Sequence, residues 1–275
     1  MNAYLVFRLP IRFLHLLMTS FSLLYPFLLA TFASAEIVSY EERSDPDGPS
    51  EVVRFDQAEV EKSLAGRGRG VEKNPKEFAK ALLKISLDYA RDNINRQKNR
   101  REIDEFLQIL GLRFINPETK KPQPYCAAGV SFAASRAYCD LEPSVIDYSR
   151  NKIPQLQGVL PDIARYYFKP SPSVFRIAEA AKIDKDKRWV EPNFDKPEAG
   201  WLIVFAFPKN GVPSAVPNHI GIVRDGTNHD IIKTVEYNTT PEKNTGFQAN
   251  GGAVAERNRS RDYVVGFVNT TSAGH

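Results

Sequence analysis

A chain of 275 residues, 42% hydrophobic and 25% charged, carries enough apolar material for one medium domain with extensions. Its net charge of +4 is too mild to argue for a nucleic-acid partner. Two cysteines in the whole length exclude a disulfide-dense scaffold and the short-spaced ligand pairs that a zinc site wants, so neither metal nor cofactor is expected.

At the N-terminus, Arg8 and Arg12 precede an uncharged run from Phe13 to Phe32 that ends in Ala33-Ser34-Ala35. A basic start, an apolar stretch and a small-x-small end read as a secretory signal peptide over residues 1–35. Its removal leaves 35 basic residues against 33 acidic ones, a net +2, in a secreted or periplasmic protein without a membrane attachment. The alternative is an uncleaved anchor, since the run approaches the ~20 residues that span a bilayer. Residues 36–73 contain two breaker clusters, Ser44 to Pro49 and Gly66 to Gly70, and read as a flexible linker.

Helical periodicity begins after Pro75, with Phe78, Ala81, Leu82, Ile85 and Tyr89 on one stripe. A second stripe, Ile103, Phe106, Leu107 and Leu110, closes at Gly111. A proline-bearing loop from Asn116 to Pro124 leads into Cys126, after which small residues carry a helical pattern past Tyr138. The stretch 139–198 is polar and proline-rich, with short helices predicted near 160–168 and 172–183, and is a candidate lid or insertion. Strand patterns follow: Trp201 to Phe207, His219 to Val223, Ile231 to Tyr237, Gly252 to Glu256 and Tyr263 to Val268, with Asp225-Gly226 marking a hairpin. Helices first and strands after predict an α+β domain over 74–270, with N-terminal helices packed on an antiparallel sheet of about five strands and a tail at 271–275.

Cys126 and Cys139 lie on one predicted helix, ~20 Å apart along its axis, too far for the ~4.4–6.8 Å that a disulfide requires. Cys126 is therefore expected as a free thiol and Cys139 as a packing residue. At a helix start, the dipole and the unclaimed N–H groups favour a thiolate and can hold an oxyanion. The same segment also fits a small cysteine buried in a helix seam. Of four histidines, only His219 opens an apolar strand, where a general base can sit. Glu236 and Asn238, two apart on the next strand, share a face from which either can hold the imidazole tautomer.

The segments Tyr125-Cys126-Ala127-Ala128, Gly200 to Phe205, His219-Ile220-Gly221-Ile222-Val223, Val235-Glu236-Tyr237-Asn238-Thr239, and Gly252 through Arg257 and Arg259 to Phe267 occur in this order. Together they resemble the CHAP domain, a cysteine- and histidine-dependent amidohydrolase/peptidase of the papain-like clan. The resemblance covers about residues 75 to 269. It implies a papain-like fold in which Cys126 is the nucleophile and His219 its base and later acid. Glu236 orients the imidazole, with Asn238 assisting or replacing it. The Cys126 N–H, with Gln123 as a candidate side-chain donor, serves the oxyanion. It implies acyl transfer to water through a thioester, with peptidoglycan stem peptides as substrates, cut either at the muramoyl–alanine amide or within a cross-link. Tyr125, Trp201 and Tyr237 stand where the family commonly has Trp, Asp and Gly, and are expected to alter the groove walls. The rival readings are a wall-binding module of the same fold without activity, and a thiol hydrolase of another amide.

Overall fold

A computed structural model describes residues 74–141, 152–209, 211–240 and 251–272. The predicted signal segment, the linker up to residue 73 and the end of the tail lie outside the described residues. The first helix, α1 (Pro75–Arg91), forms because Asn74 caps it, its side-chain oxygen accepting from the backbone N–H groups of Lys76 and Glu77 at 3.1 and 3.3 Å. Pro75 at the first helical position fits the same start. Its buried stripe of Phe78, Leu82 and Ile85 packs against α3 (Cys126–Leu141). Helix α2 (Arg100–Gln108) adds Ile103, Phe106 and Leu107 to that core. Helix α3 is buried on nearly every side, as its alanine-rich sequence permits.

Three further helices follow: α4 (Lys152–Gly158), α5 (Leu160–Tyr166) and α6 (Val174–Lys182). Helices α5 and α6 match the sequence expectation. Helix α4 was hidden by Pro154 within it, which reads locally as a breaker. In the described part of 139–198, these helices pack into the same core. Leu160, Ile163, Val174 and Ile177 are buried, Tyr167 stacks on Phe78 with ring centroids 3.6 Å apart, and Tyr138 donates to Asp162 at 3.1 Å. That last contact lies twelve residues, ~18 Å of helix, beyond Cys126.

The sheet has six strands, in the order β1 (Trp189–Val190), β6 (Val264–Val268), β2 (Leu202–Phe205), β3 (His219–Asp225), β4 (Ile231–Thr239), β5 (Ala253–Ser260), and every pairing is antiparallel. The expectation of about five strands missed β1, whose two residues are too few to show a period; it pairs Trp189 with Val268. Alternation along the strands gives the sheet two apolar faces. Leu202, Val204, Ile220, Ile222, Val235 and Tyr237 face the helices, while Ile203, Phe205, Val223, Ile232 and Phe267 join Trp201 and Phe207 on the other side. The class is α+β. No described helix is long and apolar enough to cross a membrane.

Candidate active site

Cys126 is the first residue of α3. The loop before it is tied down, the Gln123 N–H donating to the Phe114 carbonyl at 2.8 Å, and the first helical bond closes from the Gly129 N–H to the Tyr125 carbonyl at 2.7 Å. The N–H groups of the first turn, that of Cys126 included, have no carbonyl below them to bond. Neither Cys126 nor Cys139 forms a disulfide. Cys139 is fully buried in the helical core, whereas Cys126 keeps 7% of its surface exposed. The helix is seated by Gly129: a Cβ there would come within 2.2 Å of the Tyr237 ring. Tyr237 fills that space and donates from its hydroxyl to Ser86 Oγ at 3.1 Å.

His219 opens β3, fully buried, opposite Phe205 in the sheet register. Its Nε2 lies 2.9 Å from Glu236 Oε2. Its Nδ1 is buried and lacks a complete hydrogen bond of its own, while the Cys126 thiol lies close enough to the ring to act on its basicity. Burial is the largest influence on this imidazole and lowers its pKa. The Cys126 thiol and then the Glu236 carboxylate act in the opposite sense and together outweigh it, so the pKa ends above 6.5.

Glu236 is itself fully buried and saturated. Arg259 donates from Nε to Oε1 at 2.7 Å and from Nη2 to Oε2 at 2.5 Å, and Thr234 Oγ1 donates to Oε1 at 2.6 Å. Burial, the largest influence, pushes this carboxyl's pKa up, but Arg259 and His219 more than offset it and hold the group well below the usual carboxylate range. Gly221, directly across from Glu236 in the register, makes this crossing sterically feasible: a Cβ at 221 would meet Glu236 Cγ at 2.8 Å. Arg259 lies over the Phe207 ring at 4.8 Å and also reaches Thr239 Oγ1 at 3.3 Å.

The structure thus brings Cys126, His219 and Glu236 together. Asn238 adopts φ +57, and the β4–β5 register shifts between Glu236 and Thr239. That irregularity breaks the two-residue alternation, and the Asn238 carboxamide oxygen accepts from Arg96 at 3.0 Å. Gln123 is buried three residues ahead of the thiol. Tyr125 is buried under Arg96, whose guanidinium lies 5.3 Å from its ring, and burial raises its pKa far above the ordinary phenol value. Two expected wall residues lie elsewhere. Tyr237 is behind α3 in the core, and Trp201, at the opposite end of β2 from the His219 pairing, donates to Thr271 Oγ1 at 2.9 Å.

Arg259 and Thr234 were not anticipated as site residues. The signal for Arg259 lay in β5, where residues 253, 255, 257 and 259 are inward positions occupied by Ala, Ala, Arg and Arg. Inward-facing arginines on a strand require a buried acceptor. Among the described residues no group of three or more His, Cys, Asp or Glu is arranged to hold a metal ion. Comparisons with models of known protein families, with curated proteins and with solved structures find no match.

Proposed function

We propose that this protein is an exported thiol hydrolase with a papain-like, CHAP-type fold, cleaving amide bonds in peptidoglycan stem peptides as an amidase or endopeptidase. The observation that carries the reading is the neighbourhood of His219: a thiol at a helix N-terminus on one side, and a carboxylate 2.9 Å from Nε2 on the other. A buried imidazole with a carboxylate on Nε2 and a thiol close to the ring is suited to shuttle a proton to and from that sulfur. The order of motifs along the chain supports the family, and the expected export signal would place the substrate outside the cytoplasm.

In the proposed reaction, His219 takes the Cys126 proton and the sulfur attacks the amide carbonyl. N–H groups of the first turn of α3, that of Cys126 included, receive the developing oxyanion. The C–N bond then breaks, with the amine leaving on a proton from His219, and a thioester remains on Cys126. Water adds with His219 as base, the C–S bond breaks, and the free acid and the thiol are regenerated. Glu236 holds the imidazole by its Nε2–H throughout. Incubation of purified peptidoglycan with the wild type and with Cys126→Ala, followed by identification of new termini, tests the reading. New amino and carboxyl termini are expected from the wild type only, and equal action by both proteins would overturn it.

A further inference from the structure

Two buried arginines among the described residues have their counter-charge built in. Arg259 is saturated by Glu236, and Arg188 by Asp184 and Asp186. Arg96, beside the candidate site, is different. Its backbone is bolted to the start of β5 by the Arg96 N–H to the Gly252 carbonyl at 2.7 Å and by the Asn95–Ala253 bridge. Its Nη2 uses both hydrogens, donating to the Gln123 carbonyl at 2.8 Å and to Asn238 Oδ1 at 3.0 Å. The guanidinium lies over the rings of Tyr125 at 5.3 Å and Phe114 at 5.7 Å.

No carboxylate pairs with this cation among the described residues; both of its hydrogen-bond acceptors are neutral. Its Nε is buried without an acceptor, and its Nη1 makes no hydrogen bond and remains open to solvent. An arginine fixed by neutral acceptors and aromatic faces, with a free nitrogen, is organised to receive a carboxylate from outside. Its anchor, the Gln123 carbonyl, is three residues from Cys126, at most ~10 Å between the two Cα atoms.

We propose that Arg96 binds a carboxylate of the substrate, so that the preferred substrates are peptides carrying a free carboxyl group near the scissile amide. This rests on the thiol-hydrolase reading and names the substrate class for the same site. The test uses a set of synthetic stem peptides in which each carboxyl group is converted in turn to the carboxamide. Each peptide is assayed for kcat/KM with the wild type, Arg96→Lys and Arg96→Gln. For one carboxyl position, amidation is expected to lower kcat/KM about tenfold with the wild type and about equally with Arg96→Lys, and to have no effect with Arg96→Gln. Loss of the Gln123 and Asn238 bonds alone would slow all peptides alike and leave the acid-to-amide ratio unchanged. Equal ratios in wild type and Arg96→Gln at every position overturn the inference while leaving the hydrolase reading intact. Failure of the wild type to cleave any peptide of the set overturns the peptidoglycan reading, and the inference falls with it.

Discussion

Replacing Glu236 by Gln keeps the side chain's shape and removes its charge, which separates two things the carboxylate does for His219. The amide oxygen can still accept from Nε2, so the ring stays oriented. The stabilisation of imidazolium is lost, and the charge of Arg259 near the same ring is no longer offset by the Glu236 carboxylate. Both changes lower the His219 pKa. In the wild type, the Cys126 thiol and Glu236 bring it above 6.5 against the opposing pull of burial. The acid limb of kcat/KM, below which imidazolium can no longer take the Cys126 proton, is therefore expected above pH 6.5 in the wild type and at lower pH in Glu236→Gln. A pH–rate profile on one stem peptide checks this; an acid limb that does not move would detach Glu236 from the chemistry. The sequence made this residue legible because period-two spacing and the order His, then Glu, are local facts. The place of Asn238 was less legible, because its left-handed backbone, φ +57, breaks the alternation on which the inference stood.

At the scale of elements, the site exists because one helix end is pressed against the end of one strand, and two glycines set how closely the parts approach. Gly129 lets Tyr237 lie against α3, and Gly221 lets the Glu236 side chain cross β3 toward His219. Gly221→Ala places a methyl 2.8 Å from Glu236 Cγ. Overpacking of this kind costs about 1–3 kcal/mol, and here the displaced group is the orienting carboxylate. The variant is expected to stay folded, with Tm lowered by a few degrees, while kcat falls by at least tenfold and KM changes little. Thermal melts and steady-state kinetics on the same preparation test the split; a loss of stability with kcat unchanged would show that Glu236 has slack. The glycine itself was visible in the sequence, but its reason was not, because the clash partner comes from another strand whose register has to be known. The same holds for β1 and α4: two paired residues and a proline-bearing turn carry too little local pattern, and tertiary packing decides them.

For the whole molecule, the Arg259–Glu236–His219 network is a fully buried line of charge, and its protonation is coupled to folding. Glu236 has its folded pKa depressed below the ordinary 4.5, so its contribution to stability is complete above about pH 4.5 and is lost as pH falls toward the folded value. His219 has its folded pKa raised above 6.5, so its contribution is complete below about pH 6.5 and is lost as pH rises through that higher value. Both contributions are full together between about pH 4.5 and 6.5. Glu236→Gln removes the first and leaves Arg259 buried without its carboxylate, a disruption of about 3–5 kcal/mol for a pair of this kind. Below pH 4.5 the wild type should lose its advantage over the variant, at up to about 1.4 kcal/mol per pH unit for a single group. Urea unfolding of wild type and Glu236→Gln at pH 6, 4.5 and 3 measures the difference directly. A gap that is wide at pH 6 and 4.5 and narrow at pH 3 is expected. A gap of constant width would mean that the carboxylate contributes shape and not charge, and that the pull of Arg259 on it is too weak to keep it ionised in the folded chain.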